Sequence, residues 1–164
     1  MKRLFKIFII VALILFLQAD GTNASNNKVP NVAVYNLDGV RFILYSILDK
    51  IPEDGLLIIN FTSIHCKPCQ KEIPELVRIA KISKDIICMF IFNETPSEVT
   101  STATRFGIYD NSYCDSFGSM QLKFNVKSYP VTVVVSKNRG ILGRFEGLIL
   151  PHNSTTCRFS FFVH

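Results

Sequence analysis

Apolar residues in this chain gather in short runs, and the spacing within each run separates strands from helices. Leu56-Leu57-Ile58-Ile59-Asn60-Phe61 and Ile86 to Phe92 are almost continuously apolar, as strands covered on both faces are. Between them Ile73, Leu76, Val77, Ile79, Ala80 and Ile82 recur at helical spacing among Lys71, Glu72, Glu75, Arg78 and Lys81. That pattern predicts a helix from Cys66 to about Ser83, bent at Pro74. A second helix is expected over Ser97 to Phe106, with Ser97 and Glu98 near its start, and a short one over Asp115 to Phe124.

Two hairpins flank this βαβα order. Val32 to Tyr35 and Val40 to Leu44 surround Asn36-Leu37-Asp38-Gly39, whose Asp-Gly pair supplies the positive φ of a tight turn. Pro52 to Gly55 reads as a further turn. Near the other end, Pro130 to Val135 and Ile141 to Phe145 are strand-like around the turn Ser136 to Gly140. The expected architecture is a mixed sheet with helices outside it, spanning residues 32–147, with no internal repeat.

The first residues follow another pattern. Lys2, Arg3 and Lys6 precede an unbroken apolar run from Ile7 to Leu17, and QADGTNAS follows, which is the layout of a secretory signal. At about 1.5 Å per residue such a helix covers about half of a hydrocarbon core about 30 Å thick, which disfavours a permanent span. Cleavage is expected after Ala24, ahead of the linker 25–31, with Ala19 as the other small-residue site and an uncleaved anchor as the alternative. Loss of Lys2, Arg3, Lys6 and Asp20 lowers the formal net charge from +5 to +3. With no Lys/Arg block left, and with fourteen Phe and no Trp lying inside apolar runs, a nucleic-acid partner is not expected.

The chain has 164 residues, enough for one domain and too few for two ordinary ones. Export implies an oxidising compartment, yet five cysteines is an odd number, and Cys66 and Cys69 alone are closely spaced. These two open the long predicted helix directly after a buried strand. They share one face of its first turn, with Cys66 near the positive end of the helix dipole and Cys69 within bridging reach. Unsatisfied backbone N–H groups there lower a thiol pKa below the free value of about 8.5, and Lys67 and His65 stand alongside. Cys66 is therefore the expected attacking thiolate and Cys69 the resolving thiol. A permanent disulfide and half of a zinc site are the other readings of the spacing; Cys88, Cys114 and Cys157 form no second CxxC for a closed zinc site. A peroxide-reducing site fits poorly, because Thr62 lies four residues before Cys66 rather than three.

LLIINFTSIHCKPCQKEIPELVRIAK resembles the strand, active site and kinked helix of bacterial ResA/TlpA-type thiol-disulfide oxidoreductases. VKSYPVTVVVSKNRGILGRFEG resembles their cis-proline hairpin, so that the likeness runs from about Val32 to Gly147. Pro68 before the second cysteine, Glu72 three residues after it and the helix proline Pro74 carry most of the match. The resemblance implies an α/β thioredoxin-like fold with a central mixed sheet, flanking helices and an amino-terminal β-hairpin. It further implies that Glu72 handles protons beside the dithiol, where a solvated surface carboxylate is the plainer alternative. Pro130 is expected to be cis, with the backbone of Tyr129 before it pairing with substrate. The implied activity is reduction of protein disulfides, in cytochrome c maturation or general thiol maintenance. Electrons would come from a membrane donor, and no bound cofactor or metal is implied.

Three departures stand out. His65 replaces the family's usual tryptophan, and Tyr129 replaces a smaller or β-branched residue. Residues 148–164 lack the periodicity of the family's final amphipathic helix, so the end reads as atypical or truncated. A non-catalytic interaction module with an inert Cys66–Cys69 disulfide is the alternative function. Metal delivery through the two cysteines and His65 is weaker, since copper chaperones of this fold space their cysteines more widely. Cys88 reads as a buried hydrophobe and Cys114, in the polar DNSYCDSFG, as exposed. Cys157 is expected to pair with Cys114, to pair between chains, or to be free. His152 and His164 support no metal site.

Overall fold

A computed structural model describes residues 28–149. The expected signal, its cleavage site and residues 25–27 of the linker, and in the tail His152, Cys157 and His164, lie outside the described residues.

Seven strands form one mixed sheet in the order β2-β1-β5-β4-β3-β6-β7. The strands are β1 (Ala33–Asn36), β2 (Arg41–Ile43), β3 (Leu56–Thr62), β4 (Ile86–Phe92), β5 (Ser112–Cys114), β6 (Val131–Ser136) and β7 (Ile141–Glu146). β3, β4 and β5 run parallel, while β6 pairs antiparallel to β3 along six residues. The first hairpin closes as expected, with Gly39 at φ +79° and the Asn36 side-chain oxygen accepting from the Val40 N–H at 2.8 Å. Those bonds fix the turn locally.

Four helices cover the sheet: α1 (Leu44–Leu48), α2 (Lys67–Ile82), α3 (Pro96–Phe106) and α4 (Ser119–Lys123). Leu44, which the sequence pattern places in the second strand, instead opens α1. Leu44 and Leu48, four residues apart, are both fully buried, so a single helical turn places them on one core-facing side. β5 also escaped the reading, because Ser112-Tyr113-Cys114 sits among Asp110, Asn111 and Asp115. It is nonetheless an interior strand, between β1 and β4. α3 starts one residue earlier than expected, at Pro96, because Thr95 and Glu98 form a reciprocal capping box.

Side-chain alternation along β3 divides the interior in two. Leu57, Ile59 and Phe61 join Leu44, Leu48, Met120, Phe124 and Val133 on the α1/α4 side. Ile58 faces the other way, toward Ile73, Leu76, Cys88, Phe90, Val99 and Ala103 beneath α2 and α3. On that second face Asn60 and Thr62 replace hydrophobes, and α2 begins directly above them. Phe61 has no exposed surface and meets Phe124 at 5.3 Å between ring centroids. Phe61→Ala is expected to lower stability by about 3–5 kcal/mol, read from urea unfolding; a loss below about 1 kcal/mol contradicts this packing.

Candidate active site

Cys66 is the N-cap of α2 and is joined to Cys69 by a disulfide, with 5.2 Å between their Cα atoms. Cys66 is half-buried and Cys69 is fully buried. The Cys69 N–H donates to the Cys66 sulfur at 3.2 Å. In the reduced state that N–H and the start of the helix both favour a thiolate at Cys66. Pro68 fits the first turn because the N–H it lacks has no helical partner there.

The loop between β3 and α2 is tied from two sides. The Glu94 carboxylate, at the end of β4, accepts from the Ser63 hydroxyl and from the Ile64 N–H at 3.1 Å. Gln70 reaches back from α2 to donate to the Ile64 carbonyl at 2.7 Å. These bonds fix where the chain enters the helix, and hence where Cys66 points. Nothing in the sequence singled out Glu94.

Glu72 lies one turn beyond Cys69 and has no exposed surface. It is not the solvated surface carboxylate that was the plainer alternative. Its Oε2 accepts from Asn60 Nδ2 at 2.8 Å and its Oε1 from the Ile149 N–H at 3.0 Å. Asn60 also donates to Thr132 Oγ1 at 2.9 Å, where β3 and β6 pair. Burial raises the Glu72 pKa from its ordinary 4.5, and the bonds from Ile149 and Asn60 oppose that rise. Sequence reasoning missed Asn60; the available signal was a lone amide inside an apolar run, which must find partners when buried.

The Tyr129–Pro130 peptide bond is cis. Pro130 is buried and immediately precedes β6, one step beyond the Phe61–Val131 pair, which sets it opposite Thr62. The half-buried Tyr129 donates its hydroxyl to Gln121 of α4. The topology therefore brings Cys66, Cys69, Glu72 and Pro130 to one end of the central strands.

The remaining described thiols stand apart from this group. Cys88 is buried as expected, and burial pushes its pKa up to about 12. Cys114 was expected to be exposed but is only 2% so, because β5 is interior to the sheet. Cys114 is among the residues that line a cavity of about 280 Å³, with Tyr35, Pro96 and Phe117. Burial, with the charges of Glu94 and Glu98, pushes its pKa up to about 11.

No family model matches the chain. The thioredoxin-like protein YneN of Bacillus subtilis (strain 168) is 28% identical over 120 residues, which cover 70% of this chain and 66% of that protein, just under two thirds of its length. Solved structures match over more of their own length. A thiol:disulfide interchange protein of the thioredoxin family from Chlorobium tepidum TLS has a TM-score of 0.64 at 22% identity, covering 78% of this chain and 90% of that one. A secreted disulfide oxidoreductase of Mycobacterium tuberculosis has a TM-score of 0.61 at 16% identity, covering 77% and 88%. The exposed lipoprotein thioredoxin of Streptococcus pneumoniae strain TIGR4 has a TM-score of 0.59 at 17% identity, covering 74% and 92%.

The fold is thioredoxin-like. On this thioredoxin-like frame the thiol environments differ enough to be read chemically. At pH 8 a thiol with a pKa near 11 is thiolate in about one part per thousand. Brief iodoacetamide treatment of the reduced, folded protein should label Cys66 first and leave Cys88 and Cys114 unmodified by mass spectrometry. Labelling of Cys114 as fast as Cys66 contradicts this ordering.

Glu72 makes a separate prediction for the stability of the thioredoxin-like domain. Between the ordinary pKa of 4.5 and its raised folded value, the folded chain binds more protons than the unfolded one. Stability must therefore fall as pH rises through that window and level off above it. Glu72→Gln lacks this contribution, so the variant should gain on the wild type from about pH 4 upward in urea unfolding. A wild-type-to-variant difference that is flat in pH refutes the burial argument.

Proposed function

We propose that the chain is a thiol-disulfide oxidoreductase that reduces protein disulfides outside the cytoplasm through Cys66 and Cys69. The observation that carries the reading is a disulfide between a half-buried N-cap cysteine and a fully buried one, above a buried carboxyl. In the reduced protein the Cys66 thiolate attacks a substrate disulfide. One bond forms between Cys66 and a substrate sulfur, and the other substrate sulfur leaves as a thiolate that takes up a proton. Cys69 then gives its proton to Glu72 and attacks Cys66. The Cys66–Cys69 bond forms, the mixed disulfide breaks, and the second substrate thiolate departs and is protonated. Two electrons have passed from the dithiol to the substrate.

Tyr129 and Pro130 supply the substrate-binding edge in this reading, through the backbone before the cis-proline. A dithiol donor at the membrane returns the electrons. The signal-like pattern of residues 1–24 supports export, as does the secretion of the Mycobacterium tuberculosis disulfide oxidoreductase that shares this fold. Protein disulfides are the substrate class, and the cysteines handled in cytochrome c maturation are one member of it.

Reduction of insulin by the wild type, Cys66→Ser and Cys69→Ser tests the reading. Cys66→Ser should fall to the uncatalysed rate, while Cys69→Ser should accumulate a mixed disulfide at Cys66. Glu72→Gln should slow resolution by Cys69 about a hundredfold or more near neutral pH, the scale of a lost general base. Equal reduction by wild type and Cys66→Ser refutes the enzyme and leaves an interaction module with an inert disulfide.

A further inference from the structure

Asn60 has no exposed surface, and its two Nδ2 hydrogens go to Glu72 Oε2 and Thr132 Oγ1. Its Oδ1, by contrast, has no hydrogen-bond partner among the described residues. The same holds for the hydroxyl of Thr62, which is fully buried two residues further along the same face of β3. Unpaired polar atoms at such depth are uncommon and demand a reason. The chemistry of the neighbours supplies one. A carboxyl group and a hydroxyl can each donate or accept, whereas the two ends of an amide exchange roles only by a half-turn.

Both oxygens of Glu72 face donors, Oε2 the Asn60 amide and Oε1 the Ile149 N–H. That arrangement suits a carboxylate. A carboxylic acid carries an O–H that needs an acceptor. The main-chain N–H of Ile149 cannot become one, but the Asn60 side chain can. We propose that Asn60 is a positioning residue whose amide turns over with the protonation state of Glu72, presenting Nδ2 to the carboxylate and Oδ1 to the acid.

After the half-turn, Oδ1 accepts from the Glu72 O–H and from the Thr132 hydroxyl. Nδ2 takes the place that Oδ1 left, on the face of β3 that also carries Thr62. Glu72 and Thr132 thus each keep a bond to Asn60 in both states. The inference rests on the reading of Glu72 as the acceptor of the Cys69 proton and explains how a buried carboxyl holds either a charge or a proton without losing a partner. Other groups around Glu72 do not compete for this role. The dithiol lies one turn earlier on α2, Lys71 is exposed and Glu75 is half-buried on the same helix. β3 and β6 bring Asn60 and Thr132, and the segment after β7 brings the Ile149 N–H.

The oxidised wild-type protein, labelled with ¹³C and ¹⁵N, provides the test. The Glu72 carboxyl shift reports its protonation, and nuclear Overhauser contacts from the Asn60 Nδ2 hydrogens report the amide orientation. Above the Glu72 midpoint these hydrogens should lie against Thr132; below it those contacts should weaken at least fivefold. In Glu72→Gln the pattern should not move with pH. Contacts that stay fixed across the wild-type titration overturn the proposal. So does a Glu72 that takes no proton before acid unfolding, or a pattern that moves equally in Glu72→Gln. The disulfide form turns over no substrate, so this result stands or falls separately from the insulin assay.

Discussion

A carboxyl group with no exposed surface, one helical turn below a disulfide, is the constraint around which this end of the molecule is arranged. Burying a carboxyl is unfavourable unless hydrogen bonds replace water, and here they come from β3 and from the chain just after β7. Asn60 is in turn held by Thr132 of β6. The site is thus assembled by sheet pairing rather than by the helix that carries the cysteines. Two opposed pressures meet on that helix. The N-cap position and the Cys69 N–H favour a charged sulfur at Cys66, while burial favours a neutral carboxyl at Glu72.

Position matters as much as charge, and the loop from Ser63 to Cys66 shows how position is secured. A loop beside a reactive sulfur must stay in place when the disulfide opens, because the sulfur's neighbours change while the backbone donors must not. Glu94 binds Ser63 and Ile64 from the end of β4, and Gln70 binds Ile64 from within α2. None of these contacts involves the disulfide. The entry to the helix is thereby set by the parallel pair β3 and β4.

Much of this was legible in the sequence, and the parts that were not share a cause. Cys66 and Cys69 announce themselves by spacing and by the apolar run before them, and Pro130 by the hairpin it opens. Each of those signals is local. The burial of Glu72 is not, because a glutamate among Lys71, Glu75 and Arg78 looks solvated until Asn60 is known to face it. Asn60 itself hides in a strand otherwise read as apolar. Cys114 misled for the reverse reason: its polar neighbours Asp110, Asn111 and Asp115 concealed an interior strand, fixed by pairing with β1 and β4 far away in the chain. The short helix α1 was hidden by its own residues, since Leu44-Tyr45-Ser46-Ile47-Leu48 suits a strand as well as a helical turn.

The disulfide joins residues just three apart in sequence. A cross-link restrains the unfolded chain more as the loop it closes grows, so one of this length contributes near the low end of what disulfides supply. Stability must then reside elsewhere, in the two apolar clusters on either face of β3 and β4. In the second cluster Ile73 and Leu76 anchor α2 to the sheet. The apolar packing on both faces of the sheet, rather than so short a cross-link, is what the fold chiefly rests on.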